Sequence, residues 1–317
     1  MIQSAYIIGI AYILDLILGD PVWLPHPVRV IGYLAQRLES PLRRAIKNER
    51  FAGIIFSVAI ISTAYGVSAI VISAATHLNR HLGFILSAFF IYTTLAIKDL
   101  KVESMRVYQE LEKNDIGSAR KNLSFIVGRD TQNLHDKDII RATVETIAEN
   151  IADGIISPLF YAFLGGAPLA LAYKAANTLD SMVGYKNDKY KNFGWASARI
   201  DDCLNFIPAR ISGILIAFAG GLSGFDAINS FKSCLRDGRK NPSPNSGIPE
   251  AAMAGALEIQ LGGLNYYNST PVLKPFIGEE IHPLEIEHIR KCIRIAYLCS
   301  FLSLLTGVFV FYLIGRR

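Results

Sequence analysis

Apolar residues gather into stretches at 2–18, 52–75, 83–97, 153–173, 208–224 and 295–314, and charged segments separate them. The first, second and last approach the ~20 residues that a helix needs to cross hydrocarbon. The third is short and relies on neighbours such as His81 and Lys98 to snorkel. Gly165–Gly166 and Gly220–Gly221 interrupt the fourth and fifth, which suits a span, a re-entrant hairpin or a buried helix. Residues 98–124 set Leu100, Met105, Val107, Leu111 and Leu123 among charges, the pattern of an amphipathic helix or helix pair, with Asn114, Asp115 and Gly117 marking a turn. No segment alternates with the two-residue period of a strand, and no internal repeat is visible. The expected fold is all-α: a polytopic integral membrane helical bundle of roughly 4–6 spans, some of them possible re-entrant hairpins. Residues 1–317 are expected to form a single membrane-embedded domain with polar motif loops at 19–50, 98–152, 174–206 and 225–294.

Composition and charge refine this picture. Hydrophobic residues make up 51% of the chain against 19% charged, well off the soluble balance. The N-terminus lacks a basic region and a small-residue cleavage site, so 2–18 reads as a retained helix. The net charge of +5 comes with no basic run carrying interleaved aromatics, which disfavours nucleic acid as a partner. Lys and Arg concentrate in 19–50, 98–152 and 225–294, while 76–82 has only Arg80. The positive-inside bias puts those three segments in the cytoplasm. Six full crossings would then face 174–206 outward. Two non-crossing hairpins keep every polar motif cytoplasmic, where a phosphate-bearing substrate is available. Cys203, Cys234, Cys292 and Cys299 form no C-x-x-C pair and read as small apolar fillers.

The candidate chemistry lies in the polar motifs. Glu145, Glu149 and Asp153 recur every four residues, which puts them on one helix face beside Arg141. Flanking isoleucines imply burial, and carboxylates at the edge of hydrocarbon mark functional sites by default. Asn177, Asp180 and Ser181 share another helix face, bracketed by Lys174 and Lys186. Adjacent Asp201 and Asp202 point to different sides, so that one can bind a cation while the other pairs with Arg199 or Asn205. Arg210 opens an apolar stretch and either contacts substrate or snorkels. The segment 241–250, with Asn241, Asn245, Ser246 and Glu250, leads into a helix capped by Ser246 or Gly247 and ended by Gly262–Gly263. Its N–H groups suit an anion. His26 and the Arg129–Asp130–Thr131 unit are ambiguous alone. Oxygen donors in such number suit Mg²⁺ and, through it, phosphate.

No P-loop, dinucleotide fingerprint, G-x-S-x-G or H-E-x-x-H occurs. Two rival classes fit buried acids in a membrane: a Mg-dependent prenyltransferase or CDP-alcohol phosphotransferase, and an ion-coupled transporter. The paired-aspartate signatures of the first are missing, and the second does not explain the N-P-S-P-N-S-G segment.

With these segments in view the chain resembles the CobD/CbiB family of cobalamin biosynthesis, the adenosylcobinamide-phosphate synthases. The resemblance is carried by DPVWLPHPVRVIG, GRDT at 128–131, RATVETIAENIADGIISPLFY, GGAPLALAYKAANTLDSMVGYKNDKYKNFGWASARIDDCLNFIPAR and NPSPNSGIPEAAMAGALEIQLGG, in order from about 19 to 263. It implies a multi-pass cell-membrane ligase that uses ATP and Mg²⁺ to join adenosylcobyric acid to aminopropanol or its phosphate. The expected catalytic residues are Glu145, Glu149, Asp153, Asp180, Asp202 and His26. Glu149, Asp153, Asp180 and Asp201 are the expected metal ligands. Lys174, Asn177, Ser181, Lys186, Arg199, Asn205, Arg210, Asn241, Asn245, Ser246, Glu250 and Arg129 are the expected substrate contacts.

Overall fold

Polar side chains set where the helices begin. Asn48 accepts from the Phe51 N–H at 3.1 Å, Asp115 from Ser118 at 3.0 Å and Asp226 from Asn229 at 2.8 Å, each satisfying a free donor of a first turn. In the computed structural model, which describes residues 2–21, 23–185, 187–267 and 269–315, the chain is almost wholly helical. The helices before the first long kink are α1 (Ile2–Leu18), α2 (Pro27–Ala45), α3 (Glu49–Leu78), α4 (Arg80–Tyr92), α5 (Ile97–Glu112), α6 (Ile116–Ser124) and α7 (Asp136–Asn150). A π-helical turn, Ile151–Ile156, joins α7 to α8 (Ser157–Val183). Then follow α9 (Trp195–Leu204), α10 (Phe206–Leu222), α11 (Ala227–Asp237), α12 (Gly247–Leu257), β1 (Leu261–Tyr267), β2 (Thr270–Ile277) and α13 (Glu287–Gly315).

Among the described residues four stretches are long and apolar enough to cross a membrane: Glu49–Leu78, Arg80–Glu112, Asp136–Val183 and Glu287–Leu313. The bent pair Trp195–Leu204 and Phe206–Leu222, angled at 48°, makes a fifth if taken as one span. The all-α membrane expectation therefore holds. The apolar part of α1, Ser4–Leu18, is shorter than a full crossing. The Gly165–Gly166 break is a kink within α8: Gly166 sits at φ 68°, ψ −162°, a region essentially restricted to glycine. The turn expected near Asn114 is present, with Asn114 at φ 59° and Asp115 capping α6.

The chain divides into two compact units. The first comprises Met1–Ala96, Ser157–Asn205 and Leu304–Arg317. Its centre packs Ile31, Phe56, Ile60, Leu179, Val183 and Phe193 together. The Phe56 and Phe193 rings lie 4.9 Å apart, and the Arg43 guanidinium covers Phe193 at 4.1 Å. Along α3, large apolar side chains such as Val58, Val67 and Ile70 face outward, as a lipid-facing surface requires.

The second unit comprises Ile97–Ile156 and Phe206–Ser303. Its core is built around α12, in which every residue is buried. A helix that is apolar all round belongs inside a protein. The run Ala251–Ala252–Met253–Ala254–Gly255–Ala256 lets neighbours approach closely: a Cβ on Gly255 would lie 2.5 Å from the Asn229 carbonyl oxygen of α11. The four cysteines are free, and Cys292 and Cys299 are buried fillers.

Two expectations are corrected here. The chain does contain strands: β1 and β2 pair antiparallel as a two-stranded hairpin. Its glycines and the prolines Pro271 and Pro275 erase the alternating pattern, and β2 is largely exposed, so no apolar face shows in the sequence. Gly262–Gly263 does not end α12. That helix stops at Leu257, with Glu258 at φ 56° as its left-handed cap, and the glycines open β1. Gly262 sits at φ 89°, and a Cβ there would lie 2.2 Å from the Pro275 carbonyl oxygen. Gly262→Ala is therefore expected to destabilise the hairpin by about 1–3 kcal/mol or more, read as a lowered Tm of the purified protein in detergent.

Candidate functional site

In the first unit, α8 and α9 bring their polar residues together around Asp201. The Asn205 amide donates to Asp201 Oδ2 at 3.0 Å and the Asn177 amide to Oδ1 at 3.4 Å. Asn205 is itself held by donation from Ser157 at 2.7 Å and Tyr173 at 2.9 Å. Lys174 Nζ donates to Asn177 Oδ1 at 3.5 Å. The result is a buried, amide-fixed carboxylate with an ammonium one residue beyond it. Asp201 and Asn205 are almost inaccessible, at 8% and 1% exposure. Buried polar networks of this kind persist when every member is satisfied.

Asp201 and Asp202 do diverge. Asp201 joins the network, while Asp202 meets Arg199 at 3.4 Å on an exposed face. Ser181 turns inward on its own helix, donating to the Asn177 carbonyl oxygen at 3.0 Å. Asp180 lies over the start of the next loop: a Cβ on Gly184 would fall 1.9 Å from its Oδ1. Lys186 lies outside the described residues. His26, at the start of α2, lies 3.6 Å from Asp20, which also pairs with Arg29 at 2.9 Å. Burial lowers the His26 pKa, Asp20 opposes that, and Arg29 and Lys174 add to it. His26 is thus a neutral imidazole within electrostatic reach of Lys174.

In the second unit the GRDT loop, α7, α12 and the hairpin converge on three glutamates. Arg129 donates to Glu145 Oε2 and to Asn265 Oδ1, and the Gly262 N–H donates to Glu145 Oε1 at 2.9 Å. The Arg129 and Glu145 side chains are 7% and 3% exposed. Burial works against the Arg129 charge, and Glu145 more than offsets it, raising its pKa. Arg141, the partner expected for the acidic face, pairs with Glu145 at 3.9 Å and bonds Asp138 more closely at 3.1 Å and the Leu264 carbonyl at 2.8 Å. Glu149 is half-buried one turn on, in the field of Lys274, Arg129 and Glu145. The π-helical turn begins at Ile151, between Glu149 and Asp153, and its wider winding breaks the even spacing there.

Glu250 enters this cluster from buried α12. It accepts from the Asn241 amide at 2.9 Å. Burial, with repulsion from Glu145 and Glu149, pushes its pKa up to about 8, against the pull of Lys274 and Asn241. The rest of 241–250 is braced from within. Ser243 N–H donates to Asn241 Oδ1, and Asn245 and Ser246 N–H groups donate to Ser243 Oγ. Arg210 donates to Asn245 Oδ1 at 2.9 Å and lies over the Phe206 ring at 3.6 Å. Arg210, Asn245 and Ser246 therefore support the loop, and several of the N–H groups expected to face an anion have internal acceptors.

Sequence reasoning passed over Lys274 and Asn265, both on the hairpin, and read Gly262 only as a helix end. No motif marks them, and their importance comes from strand register alone: Gly263 pairs with Lys274, beside the Gly262–Glu145 bond. It also passed over Asp237, which is fully buried and held ionised by Arg236 at 2.7 Å, Lys240 at 2.8 Å and the Gly278 N–H at 2.9 Å. That anchor pins the end of β2, across from Leu261 and Gly262, to α11. Among the described residues no three His, Cys, Asp or Glu side chains are grouped to hold a metal ion.

Comparison with known proteins places this arrangement in context. The sequence model described as CobD/Cbib protein matches residues 8–296. A relative from Geobacter metallireducens, named Cobalamin biosynthesis protein CobD, is 48% identical over 297 residues, covering 94% of this chain and 93% of its own. Proteins of the same name from Clostridium perfringens and Leptospira interrogans are 47% identical over 302 residues and 45% over 307, each covering at least 95% of this chain and 96% of their own. No solved structure matches.

Removing one partner of the Arg129–Glu145 pair leaves a buried charge unpaired. Arg129→Met and Glu145→Gln are each expected to cost about 3–5 kcal/mol, and the double variant less than their sum, measured as Tm shifts in a double-mutant cycle.

Proposed function

The chain belongs to the CobD/Cbib family, and on that premise we propose that it acts in cobalamin biosynthesis as an ATP-dependent amide ligase. Its substrates in this reading are adenosylcobyric acid and aminopropanol or its phosphate, joined to give adenosylcobinamide or its phosphate. The polar segments face the cytosol, where nucleotide is available, and the apolar helices hold the enzyme in the cell membrane.

The reaction needs two things of the protein. A propionate carboxylate is a poor electrophile, so a phosphoryl group from ATP is first bonded to its oxygen as ADP departs. The amine must then lose a proton before its nitrogen bonds the acyl carbon and phosphate leaves. The observation that carries the reading is the placement of Glu250: a buried carboxyl of α12 that accepts from Asn241 at 2.9 Å and lies in the field of Glu145, Lys274 and Glu149, its pKa pushed up to about 8, suits an ammonium proton near neutral pH. His26 is the alternative acceptor. Lys174, with Asn177, Asp201 and Asn205, suits phosphate oxygens and their counter-ion, since a lysine binds phosphate as a compact charge. Arg129 and Arg210 support neighbouring groups, and Arg199 is engaged with Asp202.

The donors fit magnesium. They are oxygens, and Asp201 is oriented by two amides. Magnesium is commonly held by one or two carboxylates plus substrate phosphates rather than by a closed protein cage. Asp201 would hold the ion together with substrate phosphates; the ion would supply charge neutralisation on those phosphates when bound.

Purified protein with adenosylcobyric acid, aminopropanol phosphate and Mg-ATP is expected to yield the amide, detected by mass spectrometry of the corrinoid. Glu250→Gln and Asp201→Asn should each lower kcat by about 100-fold or more. A base acts in its ionised form, so raising the pH through about 8 should raise the wild-type rate to a plateau. A rate that falls between pH 6 and pH 8 would remove Glu250 from this role.

A further inference from the structure

Hairpin register delivers a cation that the motifs do not mark. Lys274 on β2 pairs with Gly263, next to the Gly262 N–H that bonds Glu145. The hairpin is fixed there from three sides. Arg141 donates to the Leu264 carbonyl at 2.8 Å, the Asp130 N–H to the Tyr266 carbonyl at 2.9 Å, and the Ser269 N–H to Asp130 at 2.6 Å. Lys274 is half-buried and lies in the field of Glu250, Glu145 and Glu149. Arg129 is spent on Glu145 and Asn265, and Arg141 on Asp138 and Leu264. Lys274 makes no direct ion pair among the described residues, so its ammonium keeps its donors for a ligand.

The arrangement sets carboxylates and an unspent ammonium side by side. That is complementary to a small molecule with an ammonium at one end and an anion at the other. We infer that Lys274 is a specificity-determining residue for the amine substrate, its ammonium meeting a phosphate on the molecule whose own ammonium meets Glu149 and Glu250. This rests on the ligase reading above and deepens it. A phosphate monoester carries about −1.5 to −2 at pH 7, and its own ammonium offsets part of that. A nucleotide triphosphate has no such offset and would confront Glu145 and Glu149 with more charge.

Two measurements test this. The first compares kcat/KM for aminopropanol phosphate and for unphosphorylated aminopropanol, in wild type, Lys274→Met and Lys274→Arg. Loss of a charge-assisted contact should reduce the value for the phosphorylated amine about 10–100-fold more than that for the free amine, with both read above pH 8 where Glu250 is ionised, and the difference should be partly rescued by arginine. Equal losses on both amines with a raised KM for ATP would assign Lys274 to the nucleotide and overturn the inference, as would no change on either. The second needs no turnover. Aminopropanol phosphate alone should raise the Tm of wild type and not of Lys274→Met, with Lys274→Gln as a second neutral variant should Met fail to fold. No stabilisation of wild type overturns the inference. If wild type forms no amide yet is stabilised through Lys274, the ligase reading fails and the phosphate contact stands.

Discussion

The second unit depends on burying the Arg129–Glu145 pair without leaving either charge short of partners. Taking two ions out of water costs several kcal/mol each, and the cost is met only where further hydrogen bonds complete the shell. Here the Gly262 N–H occupies the other Glu145 oxygen, and Asn265, wholly buried, accepts the second arm of the guanidinium. Both come from the hairpin. A ribbon of two strands is marginal by itself. This one is held at its open end on both strands: the Gly262 N–H of β1 bonds Glu145, and the Gly278 N–H just after β2 bonds Asp237. The geometry around the glutamates is thus inseparable from the docking of β1 and β2.

Glu250 owes its chemistry to a different constraint. The alanines and Gly255 of α12 allow backbone-close packing against α11, and that packing excludes water from Glu250. An acid in such a place rests near neutrality, because its charged form loses hydration while Glu145 and Glu149 repel it. Small side chains and a perturbed carboxyl are in this way one feature: larger residues would hold the helices apart and admit water.

In the first unit the corresponding device is a set of amides. Asn177 and Asn205 donate to one carboxylate, and Ser157 and Tyr173 complete Asn205. The network uses neutral donors where the second unit uses guanidinium. Asp201 is consequently oriented by an amide on each of its carboxylate oxygens.

Much was legible in the sequence because hydrocarbon is an exacting solvent. Apolar runs of near-crossing length, Gly165–Gly166 as a break, and the divergence of Asp201 and Asp202 follow from periodicity and local sterics, and each is present in the fold. Helix faces are local, so Glu145 and Glu149 could be grouped by counting. The hairpin could not be found that way, since its glycines and prolines carry no alternation. Which arginine meets Glu145 was also closed to counting. Arg141, nearer in sequence, pairs with Glu145 only at 3.9 Å, while Arg129 makes the close contact, because the GRDT loop and β1 are brought together by pairings far apart along the chain. Residue spacing determined the helices, the membrane character and the candidate acids. Tertiary packing decided which of those acids are buried, which cations face them, and that Lys274 stands among them, for burial and register are properties of the assembled fold.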